Sequence, residues 1–385
     1  MKNLKSHWRG IGFLSVFMLL GISFPASGQP EKTVVLPEMM TWSAYDVGSR
    51  GYVQGAAISD ALTKQYKTRV RILPSGTSIG RVQPLKAGAA SYGFLADEVF
   101  FGVEGLYEFA NLAWGPQDFR VMLAHPAPVG LVVTGKSGIK TLKDIKGKRV
   151  VYIPGASSNN VKTEAQLAFV GLTWKDVQRV VLPSYNAALR GLIEGKVDVV
   201  GGVGITAPTL YELETSHMGI HWPEFPPSDK EGWKRMTAIC PWLSPGKCYV
   251  GPGIKKEQPK DLISYAYPQL TTYARQDATE VYNLVKAFDQ TFGMYKDVNS
   301  DMPDWAISKS GRTPAGAPFH EGAIRYLIEK GVWTAQDDQW NDKFLKRIKK
   351  IQELWKITLQ ETKSKGITEK DFAEYWLNKR KEIKD

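Results

Sequence analysis

Residues 149–170 read RVVYIPGASSNNVKTEAQLAFV. Val150–Ile153 is an apolar run of strand length, Pro154 and Gly155 break it, and Ser157, Ser158, Asn159 and Asn160 lead into a helix predicted over Val161–Val170. An earlier stretch has the same layout. Val70–Leu73 (VRIL) is a strand, Pro74 to Ser78 (PSGTS) a polar break, and a helix follows through Leu85. Free amides and the dipole at a helix start favour an anion. The same Ser and Thr side chains also serve as ordinary helix caps. Two such junctions face each other across a cleft if both strand ends point the same way, and in open α/β sheets ligands lie outside the carboxyl ends of strands. Ser75, Gly76, Thr77, Ser78, Ser157, Ser158 and Asn159 are therefore candidate ligand-binding residues.

Strands and helices alternate outward from these two junctions. Strands are predicted at Thr33–Leu36, Tyr92–Leu95, Arg120–Ala124, Val129–Thr134, Arg179–Leu182 and Val197–Val200. Helices are predicted at Val53–Tyr66, Thr141–Ile145 and Ala187–Glu194. This order implies an α/β fold with mainly parallel sheets flanked by helices, in two lobes. We place the first lobe at 29–128 and 246–385 and the second at 129–245, with a return crossover near Trp242–Gly253. The C-terminal part is helical. Phe344, Ile348, Ile351 and Trp355 form an apolar stripe, and Lys343, Lys346, Arg347, Lys349 and Lys350 a solvated basic face.

Further ligand candidates lie outside the junctions. Trp42, Ser43, Tyr45, Ser49 and Tyr52 fall in a predicted loop and offer an aromatic wall and hydroxyls, although core packing is the commoner fate of aromatics. Arg50 and Arg81 suit bidentate carboxylate binding, although most arginines sit at the surface. Tyr185 and Asn186 precede a helix, and Gly201, Gly202 and Val203 end a strand where a ligand can approach the backbone. The acidic pair Asp97-Glu98 reads as ordinary surface. His217 and His221 lack an HExxH setting, GGVG at 201–204 is half a dinucleotide fingerprint, and neither GxSxG nor GxxxxGK[ST] occurs. We expect no catalytic residue, no metal and no cofactor.

The N-terminus carries Lys2, Lys5 and Arg9, then an apolar run from Ile11 to Ser23, then Pro25, Ala26, Ser27 and Gly28. That order is a secretory signal peptide at 1–28, cleaved near Gly28. Removing it lowers the net charge from +11 to about +8, a balance that concentrates anions near the surface. No arginine-rich arm or zinc-finger spacing points to nucleic acid. Cys240 and Cys248 form a disulfide in an oxidising compartment or remain two free thiols, with the disulfide slightly favoured.

Three segments carry a resemblance to a known family. SGIKTLKDIKGKRVVYIPGASSN at 137–159, YNAALRGLIEGKVDVVGGVGITAPTLYEL at 185–213 and PFHEGAIRYLIEKGVW at 318–333 resemble the TAXI group of substrate-binding proteins, the extracytoplasmic receptors of TRAP transporters. The resemblance implies a two-lobed type II periplasmic binding protein joined by hinge strands. It also implies a small organic acid as ligand, a periplasmic monomer, and the membrane subunits of a TRAP transporter as partner. It carries a binding role onto Ser75–Ser78, Ser157–Asn159, Gly202, Val203 and Pro208. The sequence departs from the family pattern at DVGSRGYV, which keeps only Tyr52, at Ile79-Gly80-Arg81, and at Leu95-Ala96-Asp97-Glu98. An exported enzyme or a chemosensory receptor on the same scaffold is the alternative.

Overall fold

A computed structural model describes residues 33–383, and the predicted signal peptide lies outside them. The chain opens with β1 (Met39–Tyr45), α1 (Arg50–Tyr66), β2 (Arg69–Ser75), α2 (Ser78–Lys86), β3 (Tyr92–Leu95) and α3 (Glu98–Glu104). The predicted first strand at 33–36 is displaced. Pro37 ends that run, and the strand forms from MMTWSAY, whose inner residues are buried. Trp42, Ser43 and Tyr45 are thus strand residues, not loop residues. β1 pairs in parallel with both β2 and β3.

β4 (Phe119–Thr134) then runs for 16 residues and joins what the sequence divides into two strands at Pro126 and Pro128. β7 (Val199–Gly204) pairs with β4 only from Val129 onward, so at the two prolines the paired strand neighbour is on one side only. A missing backbone N–H is tolerated there. Beyond β4 come β5 (Arg149–Tyr152), α4 (Ser157–Phe169), β6 (Gln178–Val181), α5 (Tyr185–Ile193), β7 and α6 (Pro208–Thr215). The glycines of GGVG lie inside β7 rather than after it. The short β8 (Ile220–His221), α7 (Lys230–Ile239) and β9 (Ser244–Cys248) follow.

The return crossing is β10 (Lys260–Tyr273), later than the expected Trp242–Gly253. It runs antiparallel to β4 along most of its length, which leaves residues 242–253 to β9 and turns. The helices α8 (Ala278–Tyr295), α9 (Ile307–Ser310), α10 (Glu321–Glu329), α11 (Ala335–Lys365) and α12 (Glu369–Arg380) complete the chain.

The main sheet has the order β2-β1-β3-β10-β4-β7-β5-β6. Read from β2, three parallel strands are followed by an antiparallel visitor, β10, and then β4. Read from β6, three parallel strands are followed by the visitor β4, and then β10. The two halves thus share one topology and exchange their long strands. The fold is α/β and two-lobed, with helices against the sheet.

α11 is capped by Thr334, which exchanges hydrogen bonds with Asp337. Its Ile348 and Ile351 are buried, Phe344 and Trp355 half-buried, and most of its lysines exposed. Arg347 leaves that basic face to pair with buried Glu104, which Arg380 of α12 also reaches.

Cys240 and Cys248 are both free and buried, which corrects the expected disulfide. Each packs in a different apolar cluster, Cys240 with the core that contains Trp233 and Met236, Cys248 with that of Trp222 and Leu262. Burial pushes both thiols above their ordinary value, so neither forms a ready thiolate. The native protein should resist iodoacetamide. In denaturant without reductant, both cysteines should be alkylated; a denatured chain with neither labelled would restore the disulfide.

His125 is buried in β4 with Nε2 2.8 Å from the Asp301 carbonyl oxygen. A carbonyl only accepts, so Nε2 carries the proton of a neutral ring. Burial, helped by the charge of Arg50, pushes this imidazole down to about 4. The unfolded chain therefore takes up the proton first, and stability is lost as pH falls from about 6.5 towards 4, by at most ~1.4 kcal/mol per pH unit. His320 is shifted the same way and adds to the loss. His125→Gln should flatten the pH dependence of urea unfolding over this window; an unchanged slope would remove His125 from the acid response.

Candidate functional site

The carboxyl ends of the two parallel strand sets meet at one place. Tyr45, Arg81 and Ala96 come from the first half, Ser158, Asn159, Lys162, Tyr185 and Gly202 from the second, and Tyr267 from β10. They enclose only about 10 Å³, at most enough for one water. The halves are closed upon each other.

Helix starts make much of the closure. α4 begins after Ala156, which provides no side-chain cap. Its first amides are met from the other half: Ser157 N donates to Glu108 Oε1 at 3.1 Å and Ser158 N to Ser78 Oγ at 3.2 Å. At α5, Asn186 N donates to Asp46 Oδ2 at 3.1 Å and Tyr185 N to the Gly76 carbonyl at 3.1 Å. Two carboxylates of the first half therefore occupy the positive ends of two helices of the second. Ile79 N also donates to Gly155 O at 3.1 Å, so the two polar junctions touch directly.

Charge at the site comes as three repeats of one motif, a cation held by a carboxylate and standing over a tyrosine ring. Arg81 Nε lies 2.8 Å from Glu98 Oε1, with its guanidinium 4.3 Å from the Tyr45 centroid. Lys162 Nζ lies 2.5 Å from Asp97 Oδ2 and 5.1 Å from the Tyr265 centroid. Arg50 Nε lies 2.8 Å from Asp301 Oδ2, with its guanidinium 5.0 Å from the Tyr267 centroid. All six charged side chains are buried. The rings touch in turn: Tyr45 meets Tyr267 edge-on at 5.6 Å, and Tyr267 stacks on Tyr265 at 5.4 Å.

Of these three pairs, Lys162–Asp97 spans the halves, and Ser158 Oγ accepts from both Lys162 Nζ and the Asp97 amide. Burial raises the Asp97 carboxyl above its usual range, against the pull of Lys162. For Arg81, burial works against the charge, and the fields of Glu98 and Tyr45 outweigh it, so the net shift is upward. Asp301 also accepts from Gln54 Nε2 and Thr206 Oγ1 and so ties α1 to the segment after β7.

The candidate residues divide between this site and the core. Trp42 is fully buried against Phe94 and Phe288, and Val203 lies in the core of the second half; neither lines the gap. Ser43 Oγ donates to the Arg81 carbonyl at 2.6 Å, Ser49 caps α1, and Tyr52 stands half-buried on α1. Thr77 caps α2 through Gly80 N, and Ser75 Oγ accepts from Thr77 N. Gly76 and Ser78 reach across to the second half, as described above. Asn159 Nδ2 donates to the carbonyl of Gly202, which has φ +62°. His320 caps α10 by accepting from Gly322 N.

The sequence reading missed the charges. Arg50 and Arg81 are buried rather than at the surface, and Asp97-Glu98 is not a surface pair. A signal was present: Arg81 and Glu98, two departures from the family pattern, are each other's partners.

The NMT1-like family model matches residues 46–331. The chain belongs to the NMT1-like family. Similar solved structures include the alkanesulfonate-binding protein SsuA of Xanthomonas axonopodis pv. citri bound to MOPS, at 14% identity over 78% of this chain and 96% of that one, with a TM-score of 0.39. The periplasmic aliphatic sulphonate binding protein SsuA of Escherichia coli is 16% identical over 77% and 88%, at 0.39. PhnD1 of Prochlorococcus marinus with methylphosphonate is 11% identical over 77% and 100%, at 0.42. The family match begins at Asp46 and ends at Gly331, so it contains both polar junctions of this NMT1-like chain and stops before α11.

Proposed function

We propose that this NMT1-like protein is an extracytoplasmic solute receptor that binds a small organic anion between its halves and delivers it to a membrane transporter of the TRAP type. The observation that supports this reading most directly is the pair of helix starts capped across the gap by Asp46 and Glu108. A ligand carboxylate, sulfonate or phosphonate offers the same oxygens and takes these places once the halves part. The present gap admits no organic molecule, so binding requires opening and then reclosure around the ligand. The closed, liganded form is favoured because only it contacts both sides. No bond is made or broken in this cycle, and the protein acts as a monomer. The leader at 1–28 directs it to the periplasm, where the mature chain begins near Gln29.

A thermal-shift screen of small carboxylates, sulfonates and phosphonates, with neutral and cationic compounds beside them, tests the ligand class. A ligand at a hundredfold its Kd stabilises the fold by about 2.7 kcal/mol. An anion should give the shift; a shift produced by neutral or cationic compounds alone overturns the anionic reading. Co-purification with the membrane component of a TRAP system supports the partner, and co-purification with a permease–ATPase pair instead overturns it.

A further inference from the structure

A second cavity, of about 690 Å³, lies beside the crossing strands. That volume suits a drug-sized organic molecule. Five aromatic residues stand in its walls, Phe100, Trp242, Tyr265, Trp340 and Phe344, none of which lines the strand-end gap. Phe100 stands 4.8 Å from Trp242 and 6.5 Å from Phe344, and Trp340 meets Phe344 edge-on at 5.3 Å. Tyr265 is buried, and its hydroxyl has no hydrogen-bond partner.

Four cations, Lys309, Arg312, Lys343 and Arg347, line this interior together with two carboxylates, Asp97, which is paired with Lys162, and Glu104, which is paired with Arg347 and Arg380. Lys309 is held by Asp304 and Arg347 by Glu104. Lys343 and Arg312 have no carboxylate partner among the described residues, and both are exposed. Arg312 Nε donates to the Ser308 carbonyl at 2.6 Å, which leaves its charge without a carboxylate, and aromatic rings with such charge at their edge fit an aromatic anion. We propose that this cavity binds an aromatic carboxylate, its ring among Phe100, Trp242 and Phe344, its carboxylate at Lys343 and Arg312, and a ring substituent at the Tyr265 hydroxyl. Edge and face contacts between rings favour such a body, and the charged edge makes binding sensitive to salt. This cavity shares no lining residue with the strand-end gap, and it adjoins the solute site through Asp97 and Tyr265, which carry Lys162 on their other side.

Calorimetric titration of the mature protein with 2-naphthoate tests it. Saturable binding is expected, weakened about tenfold or more by Trp242→Ala and about fivefold by Lys343→Glu. Lys343 is on the surface, so its variant folds whatever the fate of Trp242→Ala. Asn159→Ala, at the strand-end gap, should leave the affinity unchanged, and naphthalene-2-methanol should bind more weakly at low salt. Absence of saturable binding up to the solubility of 2-naphthoate overturns the proposal. So does binding that Asn159→Ala abolishes and Lys343→Glu does not touch, or equal affinity for the neutral alcohol.

Discussion

Arg81→Met should lower the unfolding free energy by about 3–5 kcal/mol, the usual loss when one member of a buried ion pair is removed. Glu98 is fully buried and relies on the Arg81 Nε–H, and its second oxygen already lacks a hydrogen bond. Without Arg81 that carboxylate is left uncompensated, and Tyr45 loses the cation over its ring. The double variant Arg81→Met/Glu98→Met removes the charge from both sides. It should recover most of the loss, because apolar replacement of a whole buried pair is often neutral or stabilising. Urea unfolding of the two single variants and the double closes the cycle. If the double variant is as unstable as the sum of the singles, the pair does not act as a unit.

Gly76→Val should hold the halves apart. A Cβ at Gly76 would stand 2.3 Å from Asp46 Oδ2 and 2.5 Å from Ser184 Cβ. Ser184 caps α5 and Asp46 receives the Asn186 amide, so neither can withdraw without leaving a helix amide unpaired. Parting the halves is the cheaper relief. Small-angle scattering should then show a larger radius of gyration than for the native protein. Affinity for whichever anion the screen identifies should fall at least a hundredfold, about 2.7 kcal/mol, because contacts from one side are lost. An unchanged scattering curve and unchanged affinity would mean that closure does not depend on this contact.

The order of strands and helices was legible because it rests on local patterns. β3 lies where its short apolar run between turn residues put it, and the helices after the two polar junctions follow their breaks. Pairing across distance was not legible. β4 looked like two strands, because prolines interrupt a pattern whose continuity depends on β10, more than a hundred residues later. The charged residues were misjudged for the same reason. Arg50 and Asp301 are partners from opposite parts of the sequence, as are Lys162 and Asp97. A charge is read as exposed by default, and only the folded chain brings the carboxylate that makes its burial tolerable. The glycine at 76 could be read as a turn residue, but not as the point where Ser184 approaches.

The exchange of β4 and β10 between the halves has a consequence for how the molecule is made. A chain emerging from its N-terminus places β1, β2 and β3 early, yet their sheet awaits β10, whose last residue is Tyr273. The second set of strands is delivered in full by Gly204, with β4 already in place, but β4 keeps an open edge until the same strand arrives. Neither half is finished before the other. A nascent or truncated chain that ends before Lys260 presents an unpaired strand edge, the kind of surface that recruits chaperones or aggregates. Folding is therefore postponed to late in synthesis, and its long-range pairings make it slow.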